Sequence, residues 1–197
     1  MENTQNRTKS GRWKLLLIIA VCASPLLASY FTYYVIKPEG RTNYGSLIDP
    51  RQHPMPNLGS VNLDAKPQEL SSLKGKWIML QIDRAACSTA CQKKLYDMRQ
   101  LRTATGKERD RIERVWFITD DATPEVKLQE GIAGTHMLRV NQVALEKWLP
   151  VENGTTIYDH IYLIDPLGNL MMRFPKDADA NKVKKDISKL LKASAIG

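Results

Sequence analysis

From Leu15 to Ile36 the chain runs 22 residues without a charge, "LLLIIAVCASPLLASYFTYYVI". As a helix this run is about 33 Å long, enough for the hydrocarbon core of a bilayer. It therefore divides the sequence into a short N-terminal piece and everything after it. Arg7, Lys9, Arg12 and Lys14 precede the run against one acid, Glu2. Such a basic flank predicts a cytoplasmic N-terminus. Tyr30, Phe31, Tyr33 and Tyr34 at the far end suit the lipid–water interface. The competing reading is a cleaved signal peptide, for which "ASPLLAS" offers small residues. The run is long for a signal core, so an uncleaved anchor is expected. A lipoprotein anchor through Cys22 is disfavoured by the valine before it, and Cys22 is read as a small apolar residue of the membrane helix.

The organisation expected is a cytoplasmic N-terminus at 1–14, a transmembrane anchor at 15–36, an extended linker at 37–59 and one domain at 60–197. In a bacterium the protein would be single-pass in the inner membrane with its domain periplasmic. Apolar residues at 43% and charged residues at 25% exclude a mainly disordered chain. The formal net charge of +8 fits acidic partner surfaces or lipid headgroups. No glycine-rich phosphate loop, internal repeat or nucleic-acid motif is present, and no nucleic-acid partner is expected. The linker carries Pro38, Gly40, Gly45, Pro50, Pro54, Pro56 and Gly59. His53 and Met55 within it are read as linker and packing residues.

Past Ser60 the sequence alternates strand and helix signals. Residues 76–82 read as a strand covered on both faces. A helix follows "CSTAC", with Cys87, Cys91, Leu95 and Met98 at spacings of four, four and three, stopping near Gly106. "RVWFITD" is a second buried strand, a short helix begins after Thr123-Pro124, and "HMLRV" is a short strand. "QVALEKWLP" gives a helical turn or two, and "DHIYLIDPLGNLMMRFP" reads as a hairpin about "DPLGN". The tail "DANKVKKDISKLLKAS" is amphipathic, with Val183, Ile187, Leu190 and Leu191 on one side. The order β-α-β-α-β-β-α predicts an α/β domain whose first two strands are parallel and whose hairpin adds antiparallel strands.

Chemistry concentrates in Cys87 and Cys91. Exported to an oxidising compartment, they are open to three roles: a disulfide staple, a redox couple or a metal clamp. A bridge across so few residues removes little chain entropy. At a helix N-terminus a thiolate is stabilised and its pKa falls. Cys87, nearer the helix start, is the expected attacking thiolate and Cys91 the resolving one. A clamp needs a third ligand, and His160, in "YDHIYLI", reads equally as that ligand, with Asp159 as its orienting neighbour, or as a surface loop residue at a strand end. His136 is the weaker candidate ligand, since nothing ties it to the cysteines. "NGT" at Asn153 matches a glycosylation sequon and is read as a loop coincidence.

The stretches "LKGKWIMLQIDRAACSTAC", "VWFITDD" and "YDHIYLIDPLGNLMMRF" resemble the SCO/SenC family, membrane-anchored thioredoxin-like proteins of cytochrome c oxidase assembly. The likeness covers the anchor and the domain from about residue 56. It implies a thioredoxin-like sandwich, a central mixed sheet flanked by helices. It also implies a Cu(I) site of Cys87, Cys91 and His160, and delivery of copper or electrons to oxidase subunit II. Two departures stand out. Ser88 and Gln92 occupy positions where the family places proline, and only Ile161 separates His160 from Tyr162 where the family has a longer segment. Three functions follow as expectations: a copper chaperone, a thiol–disulfide oxidoreductase without stable copper, and a non-catalytic assembly scaffold.

Overall fold

The computed structural model describes residues 3–36 and 43–196, with side chains for 12–35 and 43–196. Two units result, 1–42 and 43–197. The first is α1, Asn3–Phe31, which continues as a π-helical turn over Thr32–Ile36. Its stretch Arg12–Val35 is long and apolar enough to cross a membrane. The helix thus begins upstream of the apolar run and includes most of the expected N-terminal stretch, of which residues 1 and 2 lie outside the described residues.

The second unit is built on one sheet of seven strands. These are β1 (Ser46–Leu47), β2 (Val61–Asn62), β3 (Trp77–Asp83), β4 (Ile112–Ile118), β5 (Thr135–Arg139), β6 (Ile161–Ile164) and β7 (Leu170–Arg173). Their order across the sheet is β1-β7-β6-β3-β4-β5-β2. β3, β4 and β5 are parallel, as a right-handed crossover requires, and β6 and β7 join antiparallel as the hairpin pattern predicts. The helices are α2 (Thr89–Ala104), α3 (Val126–Gly131), α4 (Gln142–Trp148) and α5 (Ala180–Ala193).

Alternation along the strands sorts the core into two layers. Ile78, Leu80 and Ile82 of β3, with Val115, Phe117, Tyr162 and Ile164, pack on the face covered by Leu145 and Trp148 of α4. Trp77, Met79, Ile161 and Leu163 face the other way, against Met98 and Leu101 of α2 and Val183, Ile187 and Leu191 of α5. Trp116 and Ile118 continue this second face beneath Cys91 and Leu95 of α2 and Ile132 beside α3. Both faces of the central strands are therefore buried, which is why their sequences read as unbroken apolar runs.

The expected linker, 37–59, divides between undescribed and folded residues. Its part 37–42 lies outside the described residues, but 43–59 belongs to the folded unit. Asp186 of α5, 2% exposed, accepts hydrogen bonds from the backbone N–H groups of Tyr44 (2.7 Å) and Gly45 (2.9 Å). β1 then pairs with the β7 edge, and the chain bridges again at Pro54 and Asn169. Prolines and glycines mark this segment as irregular, which it is. Composition does not reveal that a distant buried carboxylate ties it down. The short edge strands β1 and β2 were likewise not predicted, because two residues carry no periodicity.

Candidate functional site

β3 ends in Asp83, and residues 84–88 turn into α2. Ser88 caps that helix, its Oγ accepting from the backbone N–H of Cys91 at 3.3 Å. The cap fixes where the first turn starts and so places both cysteines, one just before the cap and one in the first turn. Cys87 and Cys91 form a disulfide, with Cα atoms 5.2 Å apart. Cys87 has φ = +33°, in the left-handed region that side chains other than glycine rarely adopt. Its N–H donates to Arg84 O, and Gln92 Nε2 donates to its carbonyl at 3.1 Å. The pair is nearly closed off: Cys87 is 2% exposed and Cys91 not at all.

Beneath the bridge lies Gln81, a fully buried amide in the middle of β3. Its Nε2 donates to Cys91 O at 3.2 Å and to Cys91 Sγ at 3.3 Å. The carbonyl can only accept, so this contact fixes which way the amide points. Beside the helix start is a cavity of about 340 Å³ lined in part by Asp83, Ser88, Lys94, Tyr158, Asp159 and Lys176. Lys94 Nζ donates to Tyr158 O. Burial holds the Lys94 ammonium below its ordinary pKa and pushes the Asp83 carboxyl above its own. Asp83 is the main influence opposing the shift of Lys94, whereas the shift of Asp83 is opposed first by the Arg84 backbone N–H and then by Lys94.

The structure joins Cys87 to Cys91 but does not bring His160 to them. His160 Nδ1 lies 2.9 Å from Phe174 O, so it carries the proton, and Nε2 lies 2.7 Å from Thr155 Oγ1, which is also 2.7 Å from Glu152 O. Its ring meets that of Tyr162 edge to face, 5.9 Å between centroids. Tyr162 packs in the α4 layer, whereas the cysteines pack in the α2 layer across the sheet. Burial lowers the pKa of His160, so the ring is held neutral. Asp159 does not orient His160: it accepts from Thr156 N–H at 2.8 Å and pairs with Lys176 at 3.2 Å. His136 lies 3.4 Å from Glu113, and His53 Nδ1 3.0 Å from Trp148 O. Among the described residues no group of three or more His, Cys, Asp or Glu side chains is placed to hold a metal ion. After reduction a copper ion would therefore meet two sulfurs with no His, Asp or Glu side chain grouped with them among the described residues. Gln81, Asp83 and Lys94 were missed in the sequence, although a glutamine inside "WIMLQID" is a visible break in an otherwise apolar strand.

Residues 77–194 match the family described as "Transmembrane-like, thioredoxin-like, C-terminal domain". The chain belongs to this transmembrane-like, thioredoxin-like family. Its residues 4–35 match the companion N-terminal domain, "Transmembrane-like". No curated protein matches the chain. Solved structures share the fold of this thioredoxin-like family member at low identity. A SCO1/SenC family lipoprotein from Bacillus anthracis is 21% identical with a TM-score of 0.54, covering 74% of this chain and 99% of that one. Yeast Sco1 with copper bound is 17% identical with a TM-score of 0.57, covering 73% and 91%. The thioredoxin domain of a thiol-disulfide oxidoreductase from Bacteroides vulgatus is 17% identical with a TM-score of 0.51, covering 71% and 96%. The SCO resemblance seen in the sequence is thus matched in the fold, and the neighbours include both copper-bound proteins and an oxidoreductase.

Proposed function

We propose that the chain is a membrane-anchored thiol–disulfide exchange factor whose reactive centre is Cys87–Cys91. The observation that carries this reading is the bridge itself, set at a capped helix N-terminus with Cys87 in a left-handed backbone conformation. A short loop gains little from a staple, and backbone conformations of this kind cluster at functional sites. The helix N-terminus favours a thiolate at either sulfur. Cys87 lies outside α2, so opening of the 84–88 turn exposes it without unfolding the helix. A groove between α2 and α3, lined in part by Thr89, Gln92, Tyr96 and Leu128, lies beside this turn and gives a partner room to dock.

The basic residues ahead of the apolar run orient the N-terminus to the cytoplasm and the folded unit to the periplasm of an inner membrane. The partner is a protein dithiol, and the SCO likeness nominates the cysteine pair of cytochrome c oxidase subunit II. The full chain in detergent, incubated with a reduced protein dithiol and trapped with a maleimide, is expected to pass wholly to the dithiol form and back. A bridge that stays oxidised in the folded protein at every donor concentration overturns the reading.

Copper(I) delivery by Cys87, Cys91 and His160 is the second reading, favoured by the fold shared with copper-bound yeast Sco1. It requires His160 to give up both hydrogen bonds and reach across the sheet. Titrating the reduced chain with Cu(I) against a competing chelator separates the two. One tightly held ion per chain, lost in His160→Ala, replaces the first reading by the second.

A further inference from the structure

Gln81 is the one buried amide in the interior of β3, and nothing in the sheet requires it. Its backbone is served by the ladders to β4 and β6. Its side-chain Oε1 has no hydrogen-bond partner among the described residues. Leaving a buried acceptor unpaired destabilises a fold, and an apolar residue of similar shape avoids that cost. What the side chain does contact is Cys91, at both the carbonyl and the sulfur. A disulfide sulfur is a weak acceptor. A thiolate is a strong one, and a hydrogen bond to a charged group is worth well over one between neutral partners. The amide therefore does more for Cys91 after the bridge opens than before.

We infer that Gln81 is a positioning residue for thiol exchange: its amide N–H holds Cys91 Sγ as the leaving sulfur, so that a protein dithiol attacks Cys87. This rests on the exchange reading above. One thiolate of the partner attacks Cys87 Sγ, forming a mixed disulfide. The Cys87–Cys91 bond breaks and its electron pair leaves on Cys91, where Gln81 Nε2 meets the new charge. Cys91 then takes a proton. The partner's second thiolate attacks the partner sulfur of the mixed disulfide and releases Cys87 as a thiolate, which is protonated in turn. Two electrons pass from partner to chain, and the two protons lost by the partner's thiols balance the two gained. Exchange is faster when the leaving thiolate is stabilised, so the contact both speeds the step and selects the sulfur attacked. The exposures agree, since Cys87 alone keeps any accessible surface.

The test uses the full chain in detergent and Gln81→Met, which keeps length and shape but removes the donor. Reduction by a small dithiol is expected to be about tenfold slower in Gln81→Met, the loss of a hydrogen bond to a charged group. In a Cys87→Ser background, the pH midpoint for alkylation of Cys91 is expected to rise when Gln81 is changed. A purely structural glutamine does not move that midpoint. Should Gln81→Met fail to fold, the Cys87→Ser chain alone decides: its Cys91 midpoint is expected below that of an ordinary thiol, and a midpoint at or above it overturns the inference. If the wild-type bridge exchanges but Gln81→Met matches it in rate and midpoint, the role of Gln81 falls while exchange stands. If the folded wild type does not exchange at all, both fall.

Discussion

Reducing Cys87–Cys91 in the folded protein separates a reactive bridge from a structural one by magnitude. The cysteines are four positions apart. Closing a loop of about five residues removes roughly 7 cal/mol/K from the unfolded chain, about 2 kcal/mol at 25 °C. In a unit of this size each kcal/mol moves the melting temperature by about 2–4 °C, so reduction is expected to lower it by about 4–8 °C. The surroundings hold independently of the bridge. α2 keeps its Ser88 cap, and Leu95, Met98 and Leu101 stay buried. Circular dichroism melts of the full chain in detergent, with and without a phosphine reductant and beside a Cys87→Ser/Cys91→Ser chain, measure this. A drop of some 20 °C or more, or loss of the cooperative transition, refutes the reasoning and makes the bridge a staple the fold depends on.

Other expectations concern single side chains. Asp186→Ala leaves the N–H groups of Tyr44 and Gly45 without their carboxylate, and urea denaturation is expected to show a loss of about 3 kcal/mol. Asp186→Asn, which keeps one acceptor oxygen, should lose less, and equal losses argue against the hydrogen bonds as the cause. Ser88→Ala removes the cap of α2 and is expected to cost about 1 kcal/mol by the same measurement. His160 has its folded pKa below the ordinary imidazole value of 6.5 because burial disfavours the cation. The unfolded chain thus binds the proton more readily, and stability present above that value is lost as pH falls through the folded one. His160→Asn, which retains a donor toward Phe174 O, is expected to flatten this acid limb in urea titrations between pH 7 and 5, and an unchanged slope counts against it.

The central sheet was legible because β3, β4 and β6 are buried on both faces and the helices carry apolar spacings of three and four. The disulfide was legible for a similar reason: two cysteines four apart after a buried strand have few physical readings. The surroundings of His160 were not legible. "DH" ahead of a strand identifies a histidine near the sheet's end but not the side on which its ring lies. That side is set by the alternation shared with Tyr162 and by the Phe174 carbonyl, contacts between residues remote in sequence. Gln81 was visible as a polar interruption, yet its meaning needed the sulfur in view. The fate of residues 43–59 depended on Asp186, more than a hundred positions away.

The sheet ends on either side in strands of only two residues, β1 and β2. An uncapped long edge offers a row of free N–H and C=O groups to any neighbour of like shape. Proteins fixed in a bilayer share a plane, so copies meet far more often than they would in bulk solution. Brief border strands, each followed by irregular chain, deny such neighbours a template for pairing. Such a domain can crowd along a surface while staying free of fibrous association.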